Sequence, residues 1–201
     1  MAAGVRRAGG RGEGRLDGGP GGRRLGGSGG GGVTVRRTPR RAARVAVIAP
    51  DDAVFLFGYD NEEVGVHWAM PGGGLGPDEA PRAGVLRELR EETGWTDVRP
   101  GALLCTWEHD FTRAGVPVRQ HEHIYLARGP RRAPTSEAAA AHAEDGILRW
   151  RWWTPQELAD AAEPMWPPQL PELLGAVRAA GGAVPAAVDL GYMPNTAACQ
   201  G

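Results

Sequence analysis

Residues 71–95 read PGGGLGPDEAPRAGVLRELREETGW, a glycine-rich stretch that leads into a run of helix-forming residues. The spacing predicts a helix over residues 79–93, because Asp78 can act as its N-cap and Pro81 is tolerated in the first turn. Gly94 then supplies the left-handed C′ position at which such a helix ends. The stretch therefore predicts a loop, a helix and a second loop in succession.

The predicted helix has an apolar stripe that we expect to face the core. Leu86 and Leu89 form this stripe, with Arg82 and Val85 nearby. Gly84 falls in the middle of the helix, where a glycine costs about 1 kcal/mol relative to alanine. We therefore expect Gly84 to weaken the helix slightly.

A cluster of carboxylates occupies another face of the same helix. Glu88, Glu91 and Glu92 stand at positions i, i+3 and i+4, so they converge on one patch. Like charges at this spacing repel by about 0.2–0.5 kcal/mol per pair, and a bound cation would offset that repulsion. Oxygen donors alone favour Mg²⁺ or Mn²⁺ over zinc. The alternative is a solvated face that Arg87 and Arg90 balance.

The spacing of these residues resembles the Nudix box, G-x5-E-x7-R-E-U-x-E-E-x-G-U, where U is a bulky apolar residue. Every fixed position is filled, by Gly73, Glu79, Arg87, Glu88, Leu89, Glu91, Glu92, Gly94 and Trp95. The preceding residues 68–74 look like the usual lead-in to the box. More weakly, Gln120-x-Glu122 and residues 151–158 look similar to many bacterial Nudix hydrolases. The resemblance covers roughly residues 43–180.

This resemblance implies an α/β fold: an α/β/α sandwich with a mixed sheet, in which the box forms a loop–helix–loop. It also implies hydrolysis of a nucleoside diphosphate linked to another moiety X, with water attacking a phosphorus atom and Mg²⁺ neutralising the developing charge; Mn²⁺ is an alternative. The expected partner is a nucleotide-derived small molecule. Neither fold nor box specifies X.

The resemblance also implies roles for single residues. Glu88, Glu91 and Glu92 match the metal-binding positions, and the backbone carbonyl of Gly73 is a further candidate ligand. Arg87 would orient a glutamate through a bidentate contact, which a lysine could not make. Glu79 and Gly94 are signature positions of structural importance.

The general base is open between three sources, because the family draws it from different places. Glu88 in the box is one candidate. Glu122 is another, since it lies on a predicted strand where the family often has an extra carboxylate. The third is an acid in the loop before Ile147, namely Glu137, Glu144 or Asp145.

Outside the box, apolar runs bounded by turn residues predict strands and two further helices. The strands are predicted at residues 44–49 and 53–57 as one hairpin, 103–111 and 116–126 as another, and 147–153. A helix over residues 155–162 has Thr154 and Glu157 as a capping box. A second helix, over residues 168–180, ends at Gly181-Gly182.

The formal net charge of −1 is the sum of two segments of opposite charge. Residues 1–42 carry ten Arg against two acids, so 10 − 2 gives +8, and residues 43–201 carry 13 basic and 22 acidic residues, so 13 − 22 gives −9. We expect 1–42 to be a disordered Gly/Arg-rich tail, 43–181 to form the Nudix domain, and 182–201 to be a loose tail. Three interpretations of residues 1–42 are open. The segment is an inert tail, or translation really starts near Val33 or Val35 and most of the segment is not made, or it is an arm that binds phosphate.

Several other functions are alternatives to hydrolysis. A nucleotide-sugar-sensing or regulatory binding module without catalysis is the main alternative. Because the tail has no base-stacking residues, we do not expect the chain to bind nucleic acid. An isoprenoid isomerase would need a reactive cysteine, for which Cys105 is the candidate. His109, His121 and His123 could form a second metal site, and Trp68 and Trp107 could flank a base.

Two widely spaced cysteines and the absence of a membrane span or secretory signal predict a cytoplasmic protein.

Overall fold

The computed structural model describes residues 36–138, 142 and 145–194, which fold around one mixed β-sheet. Its strands are β1 Thr38–Ile48, β2 Val54–Asn61, β3 Gly65–Ala69, β4 Gly72–Gly74, β5 Leu103–Arg113, β6 Val116–Arg128, β7 Ile147–Trp153, β8 Met165–Trp166 and β9 Val188–Met193. The helices are α1 Pro81–Thr93, α2 Pro155–Ala159 and α3 Leu170–Ala179, with a 3₁₀ turn at Ser136–Ala138.

Strand β1 lies at the centre of the sheet, whose order is β8-β3-β2-β1-β6-β5-β9. It runs parallel to β6 from the pair Thr38–Val118 to the pair Ile48–Arg128. The short strand β4 pairs antiparallel with β1, and β7 pairs antiparallel with β2. The predicted hairpin of β1 and β2 is joined at Ile48 and Val54, beyond which β2 pairs with β7 and β3.

Both faces of the sheet are buried, which explains why β1 reads as an unbroken apolar run rather than an alternating one. Val45 and Val47 belong to the core beneath α1, which also contains Val85 and Leu89 of that helix. Ala46 and Ile48 belong to the opposite core, together with Leu158, Leu170, Leu174 and Val177 of α2 and α3. The predicted α/β fold with a mixed sheet is confirmed.

Helix α1 begins two residues later than predicted. Ala80, not Asp78, occupies the N-cap position, and no side chain caps the helix. The cause is Pro81, which forces the preceding residue out of the helical region: Ala80 has ψ 141°. The end of the helix is as predicted, since Gly94 has φ 73° and its N–H donates to Arg90 O.

Gly84 has a packing role that its helix propensity does not reveal. A Cβ placed on this residue would lie 2.2 Å from Leu75 Cδ2, so the side chain of Leu75 uses the space that the glycine leaves. The glycine thereby lets the loop before α1 pack against the helix. The stripe itself is shifted, because Val85 and Leu89 are buried whereas Arg82 is exposed.

The other predicted elements agree with the structure to within a few residues. The second hairpin is β5 and β6, and residues 147–153 form β7. At α2, Thr154 Oγ1 accepts from the Glu157 N–H and the Glu157 carboxylate accepts from the Thr154 N–H, which confirms the capping box.

Two predicted boundaries are wrong. The folded domain begins before residue 43, because β1 starts at Thr38 and its polar first residues are held by the ladder to β6. Residues 188–193, predicted as part of a loose tail, form β9 alongside β5, and their exposed side chains explain why no apolar period marks them. The remaining tail predictions lie partly outside the described residues, at 1–35 and 195–201. In the described part of the chain, no helix has the length and apolar character needed to cross a membrane.

Candidate active site

A cleft of about 380 Å³ opens beside β4 and the N-terminal half of β1. Its floor is the glycine run Gly72–Gly74. One group of lining residues is acidic and consists of Asp60, Glu88, Glu92 and Asp145. A second group is basic and consists of Arg40, Arg44 and Arg113. Aromatic side chains of Tyr59, His67, Phe111 and Trp166 complete the wall.

Glu88 lies directly against the glycine run. A Cβ on Gly73 would come within 2.7 Å of Glu88 Oε1, so a larger residue at this position would displace the carboxylate. Arg87 Nη1 donates to Glu88 Oε1 at 2.8 Å. Burial raises the pKa of Glu88, and the carboxylates of Glu91 and Asp145 act in the same direction, while Arg87 opposes them.

Glu92 is buried, with 1 % of its surface exposed, and has only neutral donors. The Gly72 N–H donates to its Oε2 at 2.8 Å, and the Tyr59 hydroxyl donates to its Oε1 at 3.3 Å. Burial raises the pKa of Glu92 to about 8, although Arg44 acts against the shift. The nearby carboxylates of Glu88 and Asp145 add to it. The charge of a cation bound here would act against this shift.

Arg87 organises the side of the box that faces solvent. Its Nε and Nη2 donate to the two carboxylate oxygens of Glu79, each at 2.9 Å. This bidentate contact is the kind predicted for Arg87, and it lowers the pKa of Glu79 to about 2. Arg87 Nη2 also donates to Gly74 O at 2.9 Å, and Nη1 donates to Glu91 Oε2 at 3.1 Å. The guanidinium therefore ties the loop to the helix.

The structure brings together only two of the three predicted ligand carboxylates. Glu88 and Glu92 line the cleft, whereas the side chain of Glu91 is 51 % exposed and contacts Arg87. Among the residues with described positions, no three Asp, Glu, His or Cys side chains form a ready-made metal site. Mg²⁺ commonly binds through one or two carboxylates plus substrate phosphates and water, so the donor set present fits such an ion.

Glu122 is buried below the cleft and does not line it. Its Oε1 accepts from Arg44 Nε at 3.0 Å, and its Oε2 accepts from the indole of Trp107 at 3.0 Å. The side-chain amide of Gln120 donates to the same carboxylate, and His109 Nε2 lies 3.3 Å from it. Burial acts to raise the pKa of Glu122, but Arg44 and these hydrogen bonds outweigh it and hold the pKa well below the usual range.

The loop before β7 contributes one acid to the cleft. Asp145 lines it beside Glu88 and Glu92. Glu137 is exposed in the 3₁₀ turn and is not part of the cleft wall, and Glu144 lies outside the described residues.

Several cleft residues were not singled out from the sequence. Arg40 fell within the predicted tail, and Arg44, Tyr59 and Arg113 have no motif around them. The available signal was the spacing of Arg40 and Arg44, since residues four apart on a strand share a face. Trp166 is far from the box in sequence and reaches the cleft because β8 pairs with β3.

The other candidate residues have structural surroundings. Trp68 and Trp107 are buried core residues, so neither flanks a base. Cys105 is fully buried and burial raises its pKa to about 12, which does not fit the reactive thiol of an isomerase. Within the described residues the histidines His109, His121 and His123 form no metal-binding group.

Comparison with known proteins identifies the family. A family model of the NUDIX domain matches residues 38–174, more than half of the chain. The chain therefore belongs to the Nudix family, and it is an enzyme of the pyrophosphohydrolase class. Family members act on nucleotide-derived small molecules and generally use a divalent metal ion.

Similar proteins occur in bacteria and plants. An uncharacterised Nudix hydrolase, orf19 of Rhodococcus erythropolis, is 29 % identical over 143 residues, which are 68 % of each chain. Nudix hydrolase 25 of Arabidopsis thaliana is 29 % identical over 131 residues, covering 59 % of this chain and 74 % of that protein. The crystal structure of a MutT protein from Methanosarcina mazei has a TM-score of 0.54 at 15 % identity, over 75 % of this chain and 100 % of that one, and shows the shared fold.

Proposed function

We propose that this enzyme hydrolyses the phosphoanhydride bond of a nucleoside diphosphate linked to another moiety, with Mg²⁺, or Mn²⁺ in its place, as the metal ion. One observation carries the proposal: the buried carboxylates of Glu88 and Glu92 face the same cleft as three guanidinium groups. The acidic side suits a cation and the basic side suits a polyanion. A substrate that brings both together is a metal-bound pyrophosphate.

The metal ligands in this proposal are Glu88 and Glu92, with the carbonyl of Gly73 and the exposed Glu91 as further members. When bound, the ion neutralises charge that develops on the phosphoryl oxygens. The protein contributes a fixed donor set, because the Gly72 N–H and Tyr59 hydroxyl orient the Glu92 carboxylate. Arg87 orients Glu88 from the opposite side through its bond to Oε1.

The basic side of the cleft binds the phosphoryl oxygens. The Arg44 guanidinium is anchored at Nε by Glu122 and at Nη1 by the carbonyls of Met70 and Gly72, at 2.8 and 3.0 Å. A guanidinium held in this way loses little freedom when it binds a phosphate. Glu122 acts in this scheme as a positioning residue for Arg44.

Glu88 is the proposed general base. It lines the cleft, and Arg87 bonds to only one of its two oxygens, so lone pairs remain both for the metal ion and for a proton from the attacking water. Glu122 is a poor base by comparison, because both of its oxygens already accept hydrogen bonds outside the cleft. Asp145 remains the alternative base, since it also lines the cleft.

A turnover screen tests the proposal. The purified chain with Mg²⁺ is offered nucleoside triphosphates, ADP-ribose, nucleotide sugars, dinucleoside polyphosphates and capped RNA in ¹⁸O-labelled water. We expect ¹⁸O in a phosphoryl product, loss of activity in EDTA, and a decrease of about 10²–10⁴-fold in Glu88→Gln.

The matched control is Glu172→Gln, an exposed glutamate of α3 far from the cleft, which should keep full activity. A folded wild-type chain that hydrolyses none of these substrates would contradict the proposal. Equal activity of Glu88→Gln and Glu172→Gln would contradict the role given to Glu88.

A further inference from the structure

Arg40 reaches the cleft from the first half of β1. Its guanidinium lies over Gly74, where an added Cβ would meet the Nη2 atom at 2.4 Å. The carboxylate of Glu88 lies in the same way against Gly73. Because successive residues of a strand point to opposite faces, the two groups flank β4 from either side, and both line the same cleft. A polyphosphate bound in this cleft can reach both.

The charge of Arg40 has no carboxylate partner among the described residues. Arg44, four residues further along the strand, forms an ion pair with Glu122 at 3.0 Å. For Arg40 no such pair exists in the part of the chain that the structure describes, although its side chain is half-buried. It lies near two other cations, Arg113 and Arg44, and the carboxylates of Glu122 and Glu88 act on it without pairing with it. Burial of an unpaired charge is costly, and an anionic ligand would remove that cost.

The orientation of Arg40 is fixed by a relay of hydrogen bonds that starts at Glu122. Gln120 is fully buried, and its amide Nε2 donates to the Glu122 carboxylate. This contact turns the amide oxygen of Gln120 towards Arg40, whose Nη1 donates to it. One edge of the guanidinium is thereby anchored, and its remaining N–H groups are available to a ligand in the cleft.

We propose that Arg40 and Arg113 bind a terminal phosphate of the substrate, so that the enzyme prefers substrates whose moiety X ends in a free phosphoryl group. This inference rests on the proposed function, because it names the substrate class of the same cleft. The class comprises nucleoside triphosphates and longer polyphosphates, as opposed to nucleotide sugars, whose X is uncharged. An uncharged X leaves the half-buried Arg40 without a counterion in the complex, and a site with an unpaired polar group discriminates strongly against such a ligand.

A comparison of matched substrates tests the preference. kcat/KM is measured for ATP against ADP-ribose and for GTP against GDP-mannose, with wild type, Arg40→Gln and Arg41→Gln. Arg41 is the control because it is adjacent on β1, carries the same charge, is exposed and does not line the cleft. We expect Arg40→Gln to lower kcat/KM for the triphosphates by about tenfold to hundredfold, as for loss of a charge-assisted hydrogen bond, and to change the values for the sugar nucleotides by less than about twofold.

Binding of inorganic tripolyphosphate provides a readout that does not need turnover. Calorimetric titration at low ionic strength should show binding to wild type and Arg41→Gln, and binding weaker by about tenfold or more in Arg40→Gln. Wild type that turns over no nucleotide but shows this pattern would contradict the proposed function and leave the anion site supported.

Two results would overturn the inference. One is an equal loss of kcat/KM for both substrate classes in Arg40→Gln, since that would place Arg40 on the pyrophosphate common to all of them. The other is tripolyphosphate binding that is absent in wild type or the same in Arg40→Gln and Arg41→Gln.

Discussion

Glu92 on α1 and Glu122 on β6 are equally buried, each with 1 % of its surface exposed, yet their surroundings differ in kind. Glu92 accepts hydrogen bonds from a backbone N–H and a tyrosine hydroxyl, and other carboxylates lie nearby. Glu122 has a guanidinium, an indole, an amide and an imidazole around it. The pKa of Glu92 is raised to about 8, whereas that of Glu122 is held low.

The difference shows that burial alone does not decide what a carboxylate does in this protein. A buried carboxylate whose charge is fully paired stabilises the fold, because removing it leaves its partner as an unpaired buried charge. A buried carboxylate whose hydrogen-bond donors are all neutral, such as Glu92, can bind a cation from outside. We propose that Glu122 stabilises the fold and orients Arg44 and, through Gln120, Arg40, whereas Glu92 binds the metal ion.

The largest expected effect on stability comes from Glu122→Gln. The substitution leaves Arg44 buried without its counterion, so the free energy of unfolding should fall by about 3–5 kcal/mol, as measured by urea denaturation. Glu108→Gln is the control, because Glu108 lies on the neighbouring strand with its side chain 41 % exposed, and it should change stability by less than about 0.5 kcal/mol. Equal effects of the two substitutions would remove the distinction drawn for Glu122.

In EDTA, the contributions of Glu122 and Glu92 to the free energy of unfolding should change with pH in opposite directions. The lowered pKa of Glu122 means that its stabilising contribution is present above the unfolded value of 4.5 and is lost as the pH falls below it. The raised pKa of Glu92 means that its contribution to stability decreases as the pH rises from 4.5 to about 8.

Urea titrations across this range give the corresponding test with variants. Relative to wild type, Glu92→Gln should become more stable as the pH rises from 4.5 to about 8, and the deficit of Glu122→Gln should shrink below pH 4.5. Parallel curves for both variants and wild type would mean that neither carboxylate titrates as its surroundings indicate.

A smaller effect concerns how the helix that carries Glu92 is held in place. Gly84→Ala gains about 1 kcal/mol in helix propensity, but its Cβ would lie 2.2 Å from Leu75 Cδ2, and overpacking costs about 1–3 kcal/mol. We expect a net loss of about 1 kcal/mol in unfolding free energy. In a double-mutant cycle with Leu75→Ala, the two losses should not add; additive losses would show that the contact does not matter.

Much of the structure of the box could be predicted from the sequence, because residues close together in the chain determine it. The ends of a helix are set by neighbours such as Gly94, and the spacing of Glu88 and Glu92 places them on one face of it. The exception at the N-terminus is also local: Pro81 overrides the capping preference of Asp78.

The basic side of the cleft could not be predicted, because it is assembled across the sheet. Arg40 looks like part of a polar tail until its strand is seen to pair with β6, more than seventy residues further along the chain. Gln120 and Glu122 face Arg40 and Arg44 only because β1 and β6 are parallel and in that register. Strand β9 was not predicted for a similar reason. Its pairing with β5 is distant in sequence, and its mostly exposed side chains give no apolar pattern.

The most direct measurement is the activity and the stability of Glu92→Gln on the same preparation. Glutamine mimics the neutral carboxyl group that a pKa of about 8 favours near neutral pH, so its unfolding free energy in EDTA should equal or exceed that of wild type. Hydrolysis should fall by at least about 10–100-fold, the loss typical of groups that only orient metal ligands, because a ligand itself is lost. A variant that stays active, or that loses stability as Glu122→Gln does, would contradict the account.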